Sequence, residues 1–271
     1  GPNGAGKSTT VKIISGVLVP DSGKCNILGF TSWKDRVKYV KNIGVVFGQR
    51  TQLWWDVPVI DSFHLLKDIY SIDAKTFKSN VSLLTDTLDL SSLLQTPVRQ
   101  LSLGQRMRCE IAASLLHNPK ILFLDEPTIG LDAASKIAVR KFIKTINHEK
   151  NVTVILTTHD MSDIEALTNR VILIGKGKTL LDGTLAQLKT RFNGKKMITV
   201  DFAESNLEIS IPEIEIIAKT NKMMKLSIDT EKVRASEIIG ILSKKLDIID
   251  VSVENRPIEE IILSLYNKFE I

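Results

Sequence analysis

The chain has only two cysteines, Cys25 and Cys109, far apart among its 271 residues. That excludes a thiolate metal cluster and a disulfide framework, and it fits a reducing cytosol. No run approaches the roughly 18 consecutive apolar residues of a membrane-spanning helix. The densest apolar segments, Ile121–Leu124 and Val152–Leu156, have the length of strands. Any membrane role is therefore expected to be that of a peripheral partner. Aromatic residues make up 6% of the chain, and the basic residues of 59–118 form no stripe with interleaved aromatics. A nucleic-acid surface is thus not expected. There is no internal repeat, no low-complexity tract, no initiator Met and no targeting segment.

What is present is ordinary for a globular protein with a buried core: 43% hydrophobic and 25% charged residues. The length allows one large domain and a small one. The net charge of +5 is uneven, with 24 basic against 17 acidic residues in 1–190 and 12 against 14 in 191–271. A basic front part suits phosphate ligands or a face near anionic lipid; a mixed solvated surface accounts for it equally simply.

Residues 1–190 alternate apolar β-type runs with longer helical patterns, which predicts an α/β layer architecture. A helix is expected from about Gly6 to Ser15, strands at Lys24–Leu28 and Ile43–Phe47, then a helical insert over 59–118 with helices at Val59–Tyr70, Lys75–Leu88 and Gln105–Leu116. Strand Ile121–Leu124, helix Ala133–Lys150, strand Val152–Thr157 and helix Met161–Leu167 follow. Strands Arg170–Ile174 and Lys178–Leu181 are joined by a turn at Gly175 and Gly177. The stretch Arg191–Lys196 reads as a linker or turn. Beyond it a small α+β domain is expected, with strands Met197–Phe202, Glu215–Lys219, Met223–Ile228 and Ile248–Val253 and helices Glu231–Ser243 and Ile258–Lys268, the last following Pro257.

The first eight residues, Gly1-Pro2-Asn3-Gly4-Ala5-Gly6-Lys7-Ser8, fit G-x-x-x-x-G-K-[ST] at every fixed position. Gly4 and Gly6 let the backbone turn successive N–H groups toward phosphate oxygens, and the helix that starts here adds its positive end. Lys7 supplies a charge for the β and γ phosphates, and Ser8 a hydroxyl for Mg²⁺. The candidate nucleotide-binding residues are therefore Gly1, Asn3, Gly4, Ala5, Gly6, Lys7, Ser8 and Thr9. The chain opens on the loop itself, which is read as an N-terminal truncation. A second motif, Ile121-Leu122-Phe123-Leu124-Asp125-Glu126, is an apolar strand ending in two carboxylates. A strand buried in a parallel sheet delivers its last residues to the ligand-binding edge. Asp125 would orient Mg²⁺ and Glu126 would act as general base toward the attacking water. By itself this could be a strand ending in a solvated acidic turn; the phosphate loop in the same chain favours the chemical reading.

Leu101-Ser102-Leu103-Gly104-Gln105 resembles the LSGGQ signature of ABC ATPases, with Leu103 where glycine is usual. Pro127-Thr128-Ile129-Gly130-Leu131-Asp132 resembles their D-loop, and Thr157-Thr158-His159-Asp160 their switch-histidine segment. Gln49 fits the Q-loop glutamine, with Gln52 a nearby alternative. These motifs occur in family order over residues 1 to about 185. The resemblance implies an ABC ATPase fold within the P-loop NTPase class, with bound ATP and Mg²⁺. It implies catalytic roles for Glu126, His159 and Gln49, and metal contacts from Ser8, Gln49 and Asp125. It also implies a head-to-tail pair of ATPase subunits, identical or sister, in which Ser102, Gly104, Gln105 and Asp132 complete the partner's nucleotide site.

The stretch Val45–Tyr70 and residues 197–271 resemble ABC-2 type exporter ATPases of the daunorubicin and multidrug group, down to Asn255-Arg256-Pro257-Ile258-Glu259-Glu260. That implies an integral-membrane permease in another chain and a place on the cytoplasmic side of the cell membrane. It also implies that an adenine-stacking aromatic would precede Gly1. Trp54 and Trp55 are then either anchors for the permease or, for at least one of them, core. A soluble ABC ATPase acting on ribosomes or nucleic acid is the alternative; it would usually carry tandem cassettes or long coiled-coil inserts.

Overall fold

A computed structural model describes residues 1–48, 50–192, 195–204, 214–230, 232–255 and 258–268. The first eight helical residues, Lys7–Ile14, form α1; its N-cap Gly6 has φ 103° and the chain leaves it through Gly16 at φ 76°. A short α2 (Arg36–Val40) leads into β1 (Ile43–Phe47). Three helices follow: α3 (Val59–Tyr70), α4 (Ala74–Leu88) and α5 (Leu103–Leu115), with a 3-10 turn at Val98–Gln100 before the last. Then come β2 (Ile121–Asp125), α6 (Ala133–Glu149), β3 (Thr153–Thr157) and α7 (Met161–Leu167).

Strands β1, β2 and β3 form a parallel sheet in that order, with Phe47, Asp125 and Thr157 level with one another at its C-terminal edge. Period-two alternation sorts the side chains of β2 onto two faces. Ile121 and Phe123 pack with Val11, Tyr39 and Ile43 on one side. Leu122 and Leu124 join the larger core built by α3, α4, α5 and α6 on the other. All five residues of β2 are buried, which explains its unbroken apolar run. The same register brings the segments that follow the strands, beginning at Gly48, Glu126 and Thr158, to one edge.

The chain divides into two compact units. One comprises Gly1–Thr168 and Ile174–Thr179, the other Asn169–Leu173 and Leu180–Ile271. The hairpin of β4 (Arg170–Gly175) and β5 (Lys178–Thr184) is thus shared between them. Lys176 and Gly177 both have positive φ, 46° and 72°, the geometry of a two-residue hairpin turn. In the second unit, α8 (Leu185–Phe192), β6 (Lys195–Phe202), β7 (Glu215–Lys219), β8 (Met223–Asp229), α9 (Ala235–Ser243), β9 (Ile248–Asn255) and α10 (Ile258–Lys268) follow in order. Strands β6 to β9 form an antiparallel sheet in the order β7-β8-β6-β9. Ile198, Val200 and Phe202 of β6 share a face with Met224, Leu226 and Ile228 of β8 and with Ile238 and Leu242 of α9.

Three expectations need correction. The strand at Lys24–Leu28 is absent: Leu28 (φ 54°) and Gly29 (φ 83°) close a tight turn in which Ile27 and Phe30 exchange both backbone hydrogen bonds, leaving one isolated bridge. The linker at Arg191–Lys196 is instead the end of α8 and the start of β6; its Asn193 and Gly194 lie outside the described residues. Helix α9 starts at Ala235 rather than at Glu231, which itself lies outside the described residues, because Asp229 accepts from the N–H groups of Lys232 and Val233 in a turn that precedes it.

Candidate functional site

The glycine-rich loop curls ahead of α1. Gly4 (φ 77°) and Gly6 (φ 103°) occupy left-handed backbone that a side chain would strain, and a Cβ at Gly4 would meet nothing within 4 Å. The loop is therefore open where its amides turn. Ala5 is buried and its carbonyl accepts from Gly177 N–H (3.0 Å), so the hairpin turn braces the loop. Asn3, Gly4 and Thr9 are exposed. The Lys7 Nζ folds back to the carbonyls of Gly1 (2.6 Å) and Pro2 (3.1 Å).

Ser8, on the first turn of α1, donates its hydroxyl to Asp125 Oδ1 (3.1 Å), and Thr157 Oγ1 donates to the same oxygen (2.5 Å). Three segments distant in sequence thus meet at one buried carboxylate. Glu126 follows in left-handed backbone, φ 56°, its N–H held by the Thr157 carbonyl (3.0 Å) and hydroxyl (3.2 Å). A bulky residue with positive φ is strained, and such strain gathers at functional sites. The turn aims its side chain at His159: Nδ1 lies 2.6 Å from Glu126 Oε2. A carboxylate only accepts, so Nδ1 carries the hydrogen when the glutamate is ionised. The imidazole is 55% exposed and the glutamate side chain 20%, so the pair stands at the rim of the sheet edge.

Gly48 was not singled out from sequence. A Cβ there would lie 2.7 Å from the Glu126 carbonyl oxygen and 2.8 Å from that of Asp125, so the close approach of two strand ends requires glycine. Gln49, next in the chain, lies outside the described residues. The alternative glutamine, Gln52, is occupied elsewhere: its Nε2 donates to the Glu110 carbonyl (3.0 Å).

Helix α5 begins at Leu103, two residues before the position expected, because Ser102 is its N-cap. Ser102 Oγ accepts from Gln105 N–H (3.2 Å) and Gln105 Oε1 accepts from Ser102 N–H (2.9 Å), a reciprocal capping box. Gly104 is buried; a Cβ there would meet Ser135 Oγ at 2.3 Å. Ser135 in turn bonds Asp132, the N-cap of α6, through its N–H (2.8 Å) and hydroxyl (3.0 Å). Leu103, in the usual glycine place, is partly exposed, and its Cδ2 lies 3.0 Å from where Gly130 would carry a Cβ. Among the described residues no hydrogen bond or ion pair joins Ser102–Gln105 to Gly1–Ser8.

Trp54 and Trp55 are 54% and 49% exposed, which decides against core for either. The Arg106 guanidinium lies over the Trp55 ring at 5.6 Å. Leu53, which precedes them in the chain, is buried.

The parallel sheet with a glycine loop feeding a helix at its C-terminal edge has the architecture of a P-loop nucleotide-binding domain. Comparisons with known proteins narrow this. Residues 1–129 match the family model described as ABC transporter. The chain is 29% identical to the linearmycin resistance ATP-binding protein LnrL of Bacillus subtilis (strain 168) over 98% of its own length and 87% of that protein's. It is 31% identical to the ABC transporter ATP-binding protein NatA of the same organism, over 69% of this chain and 76% of NatA. A dimeric post-hydrolysis structure of the ATP-binding cassette MJ0796 bound to ADP and Pi matches with a TM-score of 0.60 at 27% identity, covering 68% of this chain and 82% of that one. The chain belongs to the ATP-binding ATPase subunits of ABC transporters.

Proposed function

We propose that the chain hydrolyses ATP at the edge formed by Gly1–Ser8, Asp125, Glu126 and His159, and that it powers an ABC-2 type exporter whose channel is a separate permease. The likeness to LnrL, named for linearmycin resistance, over nearly the whole chain supports an export role. Residues 1–190 would be the ATPase cassette and 191–271 an accessory α+β domain. Among the described residues no helix is long and apolar enough to cross a membrane. The exposed Trp54–Trp55 pair is the surface proposed to meet the permease at the cytoplasmic side of the cell membrane.

The phosphates would lie in the open loop, with backbone N–H groups and Lys7 meeting their charge. The Ser8 hydroxyl and the Asp125 carboxylate are hard oxygen donors 3.1 Å apart, which suits Mg²⁺. Among the described residues no three His, Cys, Asp or Glu side chains gather into a metal site of their own. Residues Ser8 and Asp125 would hold the ion against the nucleotide, where it would neutralise charge developing on the phosphates. Glu126 accepts a proton from the attacking water. His159, hydrogen-bonded to it through Nδ1–H, fixes the carboxylate orientation beside the γ-phosphate. Ser102 and Gln105 of a second ATPase subunit complete the site. A serine hydroxyl that accepts from Gln105 N–H still has its own hydrogen to donate, so cap and phosphate contact are compatible.

The observation that carries this reading is the 2.6 Å Glu126–His159 contact beside the Asp125–Ser8 pair. Glu126→Gln keeps shape and removes the base. We expect ATP to bind with affinity within about threefold of the parent and turnover to fall about 100-fold or more. A steady-state phosphate-release assay with equilibrium nucleotide titration tests this, and retained turnover rules out Glu126 as base.

A further inference from the structure

Asp163 lies in the first turn of α7, is fully buried at 0% exposure, and belongs to no motif. Its surroundings are more organised than a helix-terminal acid needs. The Arg140 guanidinium from α6 donates to Oδ1 through Nε and a terminal nitrogen, each at 2.6 Å. Thr128 Oγ1 and Thr158 Oγ1 both donate to Oδ2, the latter at 3.1 Å. Thr128 stands two residues after Glu126, and Thr158 immediately before His159. Thr158 Oγ1 also accepts from Asp160 N–H (2.9 Å), closing the turn around His159, and Asp160 is held in turn by Lys136 Nζ (2.7 Å). Both carboxylate oxygens of one buried side chain are thereby used, and two of the three donors sit on the peptide segments that carry the Glu126–His159 pair.

We propose that Asp163 is a positioning residue for ATP hydrolysis: by binding Thr128 and Thr158 together and anchoring both to Arg140, it sets the spacing of Glu126 and His159. Asp163 touches neither nucleotide nor water. The inference rests on the assignment of Glu126 and His159 to the chemistry. Its physical basis is that hydrogen bonds from charged groups in a buried site have steep, short-range geometry. An ionised Asp is also the only short side chain that accepts from all three neighbours at once. Asparagine at 163 keeps an oxygen for the guanidinium but loses the charge that pairs with it, and turns an NH₂ toward the two hydroxyls, which must then reverse from donor to acceptor.

The test uses the whole chain. Asp163→Asn is compared with Thr128→Val, which keeps the Asp163–Arg140 pair and cuts only the tie to the segment that carries Glu126. Steady-state ATPase gives kcat and KM, and nuclear magnetic resonance of the His159 ring reports its contact with Glu126. Both variants are expected to lose about 10- to 100-fold in kcat while KM for ATP stays within about twofold, and the His159 ring signals should move toward those of Glu126→Gln. Should Asp163→Asn fail to fold, Thr128→Val alone carries the test. A folded variant with parental kcat, or one whose kcat falls while the His159 signals stay parental, overturns the inference. Glu126→Gln and His159→Ala run in parallel: if those two keep full turnover, the underlying assignment of the chemistry fails instead.

Discussion

At the residue scale, the buried acids do different work according to what surrounds them. Asp125 accepts from the Ser8 and Thr157 hydroxyls, and Asp163 from the Thr128 and Thr158 hydroxyls and the Arg140 guanidinium. Glu110, on α5, accepts from the Thr51 hydroxyl and from Gln52 N–H (3.2 Å), and so pins the loop that carries Trp54 and Trp55. Burial pushes the Glu110 carboxyl above the ordinary glutamate range, against the pull of those two donors. The sign of the consequence follows. A carboxyl raised in the folded state binds its proton more tightly there than in the unfolded chain. Its stabilising contribution is therefore full below the unfolded value, about 4.3, and is lost as pH rises through the folded value. Glu110→Gln has no such loss. The melting temperature of Glu110→Gln minus that of the parent is expected to grow more positive between about pH 4.5 and pH 8, read by thermal unfolding at matched ionic strength. A difference that is flat or falls with pH refutes the burial argument.

At the scale of elements, the ends of helices and strands matter more than their middles. The N-terminus of α5 is closed by the Ser102–Gln105 box and lies against the start of α6, where Gly104 leaves room for Ser135. Cap and signature are therefore one structure. Ser102→Ala removes the side-chain acceptor from Gln105 N–H. Without nucleotide it is expected to cost about 1 kcal/mol of stability, measured by urea unfolding. The α5 amides stay oriented through the backbone, so the variant should remain folded. Strand ends behave alike: β1, β2 and β3 finish in register, and that register carries Gly48, Glu126 and Thr158 to one rim. The expected strand at Lys24–Leu28 shows the converse. A short apolar alternation with no ladder to join collapses into a turn once Leu28 and Gly29 adopt positive φ.

At the scale of the whole molecule, the Gly1–Ser8 and Ser102–Gln105 clusters are not bonded to each other within one chain. The proposed head-to-tail pairing would draw them from two copies or from a sister subunit. For the chain alone, the expected outcome is that Glu126→Gln with ATP and Mg²⁺ sediments as a dimer while the ADP-bound form stays monomeric. A monomer in both cases would count against head-to-tail pairing. Much of the molecule was legible from residues alone. The bounds of α3, α7, α10, β1 and β7 coincide with the expected ones, since long periodic runs and an apolar strand declare themselves locally. The glycine loop ahead of α1 and the Asp125-Glu126 step at the end of β2 also lie where consecutive residues place them. The linker expected at 191–196 failed because Asn193-Gly194 was read as a break for a whole segment, whereas helix and strand run up to it on either side. The roles of Asp163, Arg140, Thr128 and Gly48 could not be read in advance. Each depends on neighbours tens of residues away, on a carboxylate's burial, or on two backbones meeting within the width of a methyl group. Local pattern thus determined which segments are helix, which are strand and where a glycine-rich loop feeds a helix; only packing in three dimensions decided which buried groups face one another, because that depends on sheet register and not on spacing along the chain.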